Sequence, residues 1–193
     1  MIPSCASSSD EVGSEGATLR NAIRAREETR RLIDGLLHRR IPSLVLPSTQ
    51  RAGIDVRELG QGQVVFYLYP GSRTSPDDGA DTPMVDAVQH RAFRDRFDEM
   101  TARHVNIVGI SSQSPGMQYR GAKANQLTQT LLTDPGCRFA QALGLPTFRF
   151  EGAEWYRRLT VIASAGHIIK VFFPVSAARN AEQVLAWMKV QAP

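Results

Sequence analysis

The sequence predicts an α/β domain whose mixed central sheet is flanked by helices, and three observations carry that reading. Residues 64–69 (VVFYLY) and 105–111 (VNIVGIS) are near-continuous apolar runs of strand length, as expected of central strands covered on both faces. Each is followed by a stretch with helical spacing, which implies parallel strands joined by crossover helices. Residues 159–163 and 168–173 then flank Ala165-Gly166 as an antiparallel hairpin, and an amphipathic stretch from 180 to 189 closes the chain.

Along the chain, residues 1–16 are rich in Ser, Gly and acidic groups and are expected to form a disordered tail. Residues 17–42 read as an N-terminal helical extension with a partial apolar stripe (Leu19, Ile23, Leu32, Ile33, Leu36, Leu37), stopped by Pro42. The main domain, 43–193, starts with two short strands near Leu44 and Ile54, with Gly60-Gln61-Gly62 as a turn before the first long run. Loop residues 71–83 follow, long enough to act as a lid. One helix is expected over 87–103, with Phe93, Phe97 and Met100 on a face, and another over 118–127. Leu131-Leu132 leads into Asp134-Pro135-Gly136-Cys137, and a short helix is expected from Arg138 to Leu143, closed by Gly144.

Composition excludes several classes. No apolar stretch approaches the roughly 18–20 residues of a membrane helix, and the N-terminus shows neither a basic start nor an apolar leader core. Two cysteines, Cys5 and Cys137, make no disulfide scaffold, so a cytoplasmic protein is expected. The net charge of +4 comes from 23 basic residues of which only Lys123, Lys170 and Lys189 are lysines. Such an arginine bias follows from GC-rich coding, as in a high-GC bacterium. The arginines of 20–40 are interleaved with Glu27, Glu28 and Asp34 and lack interspersed aromatics, so a solvated helix face is expected rather than a nucleic-acid surface. Four scattered histidines and the absence of a Gly-rich phosphate loop imply no metal and no organic cofactor.

Several segments in this order resemble the peroxiredoxins of the AhpC/TSA group, in particular the bacterioferritin-comigratory-protein-like branch: VVFYLYP (64–70), AFRD (92–95), VGIS with Ser114-Pro115, LLTDP (131–135), ALGLPTF (142–148) and RRLTVI (157–162). The resemblance covers residues 43–190 and implies a thioredoxin-like fold and thiol peroxidase chemistry. That chemistry requires a thiolate at the start of the helix after the central strand, activated by backbone N–H groups and a nearby Arg. Counting back from Phe93 to the reactive and resolving positions lands on Asp86 and Arg91. Aligning on Thr82-Pro83 gives Val85, and aligning on Pro70 and Thr74 gives Asp77. No register supplies sulfur. Arg158 matches the family's guanidinium by its spacing to Thr160.

Two chemistries therefore compete. In the first, the former thiol pocket is turned to cofactor-free transformation of a small molecule, in a biosynthetic pathway for instance, with Asp86, His90 and Arg158 as catalytic groups. Asp86 and His90 are four apart and share a helical face, as an acid–base pair would. Arg91, Thr82, Tyr69 and Trp155 would line the substrate site. In the second, Cys137 is the redox thiol, set in a helical first turn with Asp134 as N-cap and Arg138 beside it, a setting that lowers a thiol pKa. A third reading is a non-catalytic binding protein that presents a homodimer surface.

Overall fold

The computed structural model describes the backbone of residues 9–50, 53–71 and 85–191, and the side chains of 18–50, 53–71 and 86–191. The chain divides into two compact units, Met1–Gly35 and Leu36–Pro193. The first is represented by helix α1, Ser9–Leu36, which begins earlier than the expected start at Ala17. Acidic residues are common at its N-terminal end, where the aligned peptide dipoles favour negative charge.

In the second unit, β1 (Val45–Leu46) and β2 (Ile54–Asp55) pair antiparallel. Asp55 then caps α2 (Val56–Gln61), its carboxylate accepting from the Arg57 N–H at 2.9 Å. The expected turn at Gly60–Gly62 is thus the end of a short helix, because Asp55 satisfies one of the N–H groups a helix start leaves open. The long apolar run is β3 (Gln63–Leu68), central in a five-stranded sheet of order β5-β4-β3-β8-β9. It lies parallel to β4 (Val105–Ser111), which is parallel to β5 (Thr130–Thr133). On its other side it runs antiparallel to β8 (Leu159–Ser164), the first strand of the hairpin with β9 (His167–Phe172). A strand flanked on both edges and covered on both faces buries its side chains, here from Val64 to Leu68, which is why that run shows no polar alternation.

The expected helix over 87–103 is two helices, α3 (Val85–Arg94) and α4 (Phe97–Thr101). At the break, Arg94 binds the Asp95 carboxylate through Nε and Nη2 and the Asn125 carbonyl through Nη1 at 2.8 Å. Phe93 of α3 and Met100 of α4 both reach the core. α5 (Pro115–Ala124) starts ahead of the expected Gln118, since Ser114 caps it and Pro115 occupies the first turn. α6 is Arg138–Leu143. Between α6 and β8 lies a hairpin the sequence reading passed over, β6 (Thr147–Phe150) and β7 (Ala153–Tyr156), turned by Glu151 and Gly152 at φ of 48° and 78°. Two central turn residues with positive φ match the twist of the flanking strands.

The terminal helix α7 (Asn180–Gln191) lays Val184, Leu185 and Met188 onto the sheet face that carries Val65 and Tyr67. Tyr67 needs space directly over its neighbour strand, and Gly109, its partner in register, provides it. A Cβ on Gly109 would stand 2.7 Å from the Tyr67 ring, its hydroxyl and Leu131. Gly109→Ala is therefore expected to lower unfolding free energy by about 1–3 kcal/mol. Urea denaturation of the two proteins checks this; an unchanged midpoint would refute the packing argument.

Candidate functional site

The parallel strands β3, β4 and β5 end at one edge of the sheet, and polar side chains collect there, as they do at ligand sites of α/β sheets. Gly71, at φ of 111°, allows the chain leaving β3 to press against Gln113 beyond β4; a Cβ there would meet Gln113 Cγ at 2.8 Å. The helix α3 starts over this edge and brings Asp86, Gln89 and His90 inward, all three buried. From the antiparallel side, β8 begins at Leu159 with Arg158 immediately before it, 2% exposed.

Arg158 is the centre of this arrangement. Its Nη2 donates to Asp86 Oδ1 at 2.9 Å and its Nη1 donates to Gln89 Oε1. Gln89 in turn donates through Nε2 to Asn180 Oδ1 at 2.8 Å, and Thr160 Oγ1 donates to the same oxygen at 2.7 Å. Residues of α3, β8 and α7 are thereby linked through one guanidinium. A buried guanidinium needs an anionic partner and further acceptors to offset its lost hydration, and this network supplies them.

His90 belongs to a second, aromatic group. Its Nδ1 lies 3.0 Å from Tyr67 Oη, and Gln129 Nε2 donates to that oxygen at 3.4 Å and to the His90 carbonyl at 3.0 Å. The Tyr67 hydroxyl and His90 Nδ1 thus share one hydrogen bond, whose direction follows the histidine tautomer. Tyr69 meets the His90 ring edge-on at a centroid distance of 4.5 Å, and Phe93 stacks on Tyr67 at 4.4 Å. Burial, with the Arg158 charge as a smaller contribution, pushes the His90 pKa down to about 3. The imidazole is neutral at physiological pH. Burial also raises the Tyr69 hydroxyl well above its ordinary value, with the neighbouring Tyr67 adding to it.

Tyr69, Asp86 and His90 share the lining of a cavity of about 140 Å³ with Gln113, Met117 and Gln118. Arg158 sits behind Asp86 and does not line it. Arg91 is half-buried and also stands outside the lining, as does Trp155, whose Nε1 donates to the Phe150 carbonyl within the β6–β7 hairpin at 3.2 Å. Thr82 and the expected lid of residues 71–83 lie outside the described residues, except for Gly71.

Cys137 occupies a different place from the one expected. It precedes α6 in the left-handed region at φ of 48°, so it stands at the N-cap rather than in the first turn, and its side chain makes no cap hydrogen bond. The capping carboxylate is Asp134, whose Oδ2 accepts from the Phe139 N–H at 2.9 Å and from Tyr156 Oη at 2.6 Å. The Cys137 thiol is buried and donates to the Glu154 carbonyl at 3.5 Å. Burial pushes its pKa up to about 12, with the carboxylates of Asp134 and Glu154 adding to the shift. This reverses the expected depression: Arg138 turns its Nε to Asp134 at 3.3 Å, and the charges that bear on the sulfur are negative.

The redoxin family profile matches residues 38–185. The chain belongs to the redoxin family. Among similar proteins, this redoxin is 26% identical over 155 residues to peroxiredoxin Bcp of Escherichia coli strain K12, covering 78% of the chain and 94% of that protein. It is 28% identical over 109 residues to the chloroplastic peroxiredoxin Q of Gentiana triflora, covering 56% of the chain and 46% of that protein. Among solved structures, peroxidoxin BcpB of Mycobacterium tuberculosis superposes with a TM-score of 0.68 at 20% identity, over 81% of this chain and 98% of that one. The bacterioferritin comigratory protein of Xanthomonas campestris gives 0.64 at 19% identity, over 78% and 92%. The thioredoxin-like, peroxiredoxin-type fold expected from the sequence is thus the fold of this redoxin.

The same comparisons correct the leading functional expectation. Relatives named as peroxiredoxins point to thiol peroxidase chemistry and overturn the reading of a pocket turned to acid–base transformation in a biosynthetic pathway. Two features of the site agree with that correction. The Asp86 carboxylate is held by Arg158, and His90 Nδ1 is engaged by the Tyr67 hydroxyl.

Two measurements follow from this geometry. Asp86→Ala leaves the Arg158 charge buried without its carboxylate and is expected to cost about 3–5 kcal/mol, whereas Asp86→Ala with Arg158→Met costs less than the sum of the single changes; a double-mutant cycle in urea reads this, and strict additivity would deny the coupling. A histidine held neutral contributes stability above its unfolded pKa of 6.5 that is lost as pH falls toward about 3. Unfolding free energy should therefore drop below pH 6.5 by up to about 1.4 kcal/mol per pH unit from this one group. His90→Phe should lack that component; an unaltered acid limb would assign it elsewhere.

Proposed function

We propose that this redoxin reduces hydroperoxides through the thiol of Cys137. The observation that carries the reading is the match to the redoxin family over residues 38–185, with relatives named peroxiredoxins, in a chain whose described part contains a single thiol.

The chemistry is that of a thiolate attacking a peroxide oxygen. The Cys137 sulfur bonds to one oxygen of R–O–O–H, the O–O bond breaks, and the departing alkoxide takes a proton to leave as an alcohol. The sulfur is then a sulfenic acid. One small-molecule thiol displaces water from it to give a mixed disulfide, and a second thiol releases Cys137 and leaves as the oxidised disulfide. Because the resting thiol is buried against Glu154, turnover requires the β6–β7 hairpin to lift from the sulfur. Because its pKa is raised to about 12, only on the order of one molecule in 10⁵ carries the thiolate at pH 7. The reaction is slow at neutral pH and accelerates with alkalinity.

Peroxide consumption with a small thiol as reductant is expected to rise about tenfold per pH unit between pH 7 and 10, the slope of a single thiol ionising far above the range. It is abolished in Cys137→Ser and kept in Cys5→Ser. Equal consumption by Cys137→Ser and the parent, or none by the parent at any pH in this range, overturns the proposal; in the second case a binding protein without turnover is what remains, the outcome that the Asp86–Arg158 pairing favours.

A further inference from the structure

We propose that the cavity between α3, α5 and the sheet binds a small uncharged hydroxyl compound, of the size and kind of a phenol. Cys137 does not line it, and the site stands apart from the peroxide reaction proposed above. The starting observation is a pair of enclosed polar atoms on side chains of its wall. Tyr69 Oη and Gln118 Oε1 have no hydrogen-bond partner among the described residues, on side chains 0% and 1% exposed. The Ser111 hydroxyl lies near Tyr69 Oη without bonding geometry and accepts instead from the Gln113 N–H at 3.1 Å.

Gln118 is fixed by its other end. Its Nε2 donates to the Leu132 carbonyl at 2.8 Å and to the Ser111 carbonyl at 3.4 Å. Reversing that amide would set its oxygen against two carbonyl oxygens, so the open atom is an acceptor. Tyr69 offers the complementary group, since burial keeps its hydroxyl protonated and a donor at physiological pH. Buried polar groups are almost always paired, and a donor and an acceptor left open in the lining of one cavity describe what enters it.

Charge and size narrow the occupant. Asp86 is the one charged side chain among the described lining residues, with its Oδ1 on Arg158 Nη2 at 2.9 Å. The carboxylate opposes an anion and the guanidinium behind it opposes a cation, so the occupant is uncharged. It accepts from Tyr69 and donates to Gln118, as a hydroxyl group can. The volume of about 140 Å³ is close to that of an apolar cavity of roughly 150 Å³ that takes benzene. Ala87, Met117 and Leu131 give a ring an apolar wall to rest on, which water alone would leave uncovered.

Entry is past α5. Met117, Gly121 and Asn125 follow at intervals of four along that helix and its cap, half-buried where the floor is buried. A Cβ on Gly121 would meet nothing within 4 Å, so packing does not demand a glycine that weakens the helix interior. The missing side chain leaves the mouth open. No reaction is assigned to the site, because Asp86 is held by Arg158 and His90 by Tyr67.

Titration of the full chain with phenol, followed by amide chemical shifts, tests this. For a ligand of this size the dissociation constant is expected at about 0.1–1 mM. Toluene, which lacks the hydroxyl, and benzoate, which carries a charge, should each bind about tenfold more weakly or worse. Tyr69→Phe should weaken phenol about tenfold and leave the thermal midpoint of the empty protein unchanged or higher, because the hydroxyl it removes has no partner. Gly121→Leu should block binding while the helix, and with it the fold, is retained. Absence of saturable phenol binding up to about 10 mM, which means that water alone fills the cavity, overturns the proposal. So does toluene binding as tightly as phenol, or phenol binding that ignores either substitution. Binding is read without turnover, so none of these outcomes depends on whether Cys137 reduces peroxide.

Discussion

A buried guanidinium is the constraint around which this molecule is organised. Arg158 lies at the start of β8, where the antiparallel half of the sheet meets the helix that follows the central strand. Out of water, its charge is tolerable only with acceptors held around it. The first turn of α3 supplies a carboxylate and an amide, Asp86 and Gln89, and Asn180 at the head of α7 orients that amide while accepting from Thr160 of β8. Three elements distant in sequence are thereby held to one another by polar contacts whose geometry is more demanding than apolar packing. The adjacent aromatic group of Tyr67, Tyr69, His90 and Phe93 fills the space between that network and the core, and removes His90 from proton exchange at neutral pH.

The same ion pair separates the two polar features of the sheet edge. A guanidinium facing a carboxylate lends its field to that carboxylate and leaves less for any neighbour. The lone described thiol stands elsewhere, at the turn between β5 and α6, where Asp134 and Glu154 supply negative charge and the β6–β7 hairpin covers the sulfur. Relatives named peroxiredoxins point to thiol chemistry, and at Cys137 the local charges and the covering hairpin hold the sulfur as a thiol. Both follow from the fold: β5 directs its end toward Asp134, and Asp134 is committed to capping α6 and to the Tyr156 hydroxyl.

Much of the architecture was legible in the residues. The unbroken apolar runs of β3 and β4 announce strands covered on both faces, and Ala165-Gly166 announces the β8–β9 hairpin. What escaped is local and short. α2 and the β6–β7 hairpin are each built from few residues whose apolar pattern is too brief to show a period. Their signals were an Asp at a helix start and a Glu-Gly pair between alternating strands. The break between α3 and α4 carries neither proline nor glycine, and beside it Arg94 reaches Asp95 and a carbonyl of another element.

For the site, the sequence by itself determined which ionisable side chains exist, that Arg158 precedes the strand Leu159–Ser164, and that Asp86 and His90 fall on one turn of one helix. Only the tertiary structure decided their partners. Spacing along a helix fixes which residues are neighbours on its surface, whereas the pairing of a charge depends on what other elements present to it in a low-dielectric interior. Asp86 therefore belongs to Arg158, His90 to Tyr67, and the sulfur of Cys137, flanked in sequence by an arginine, takes its character from the two carboxylates and the covering hairpin that the fold brings to it.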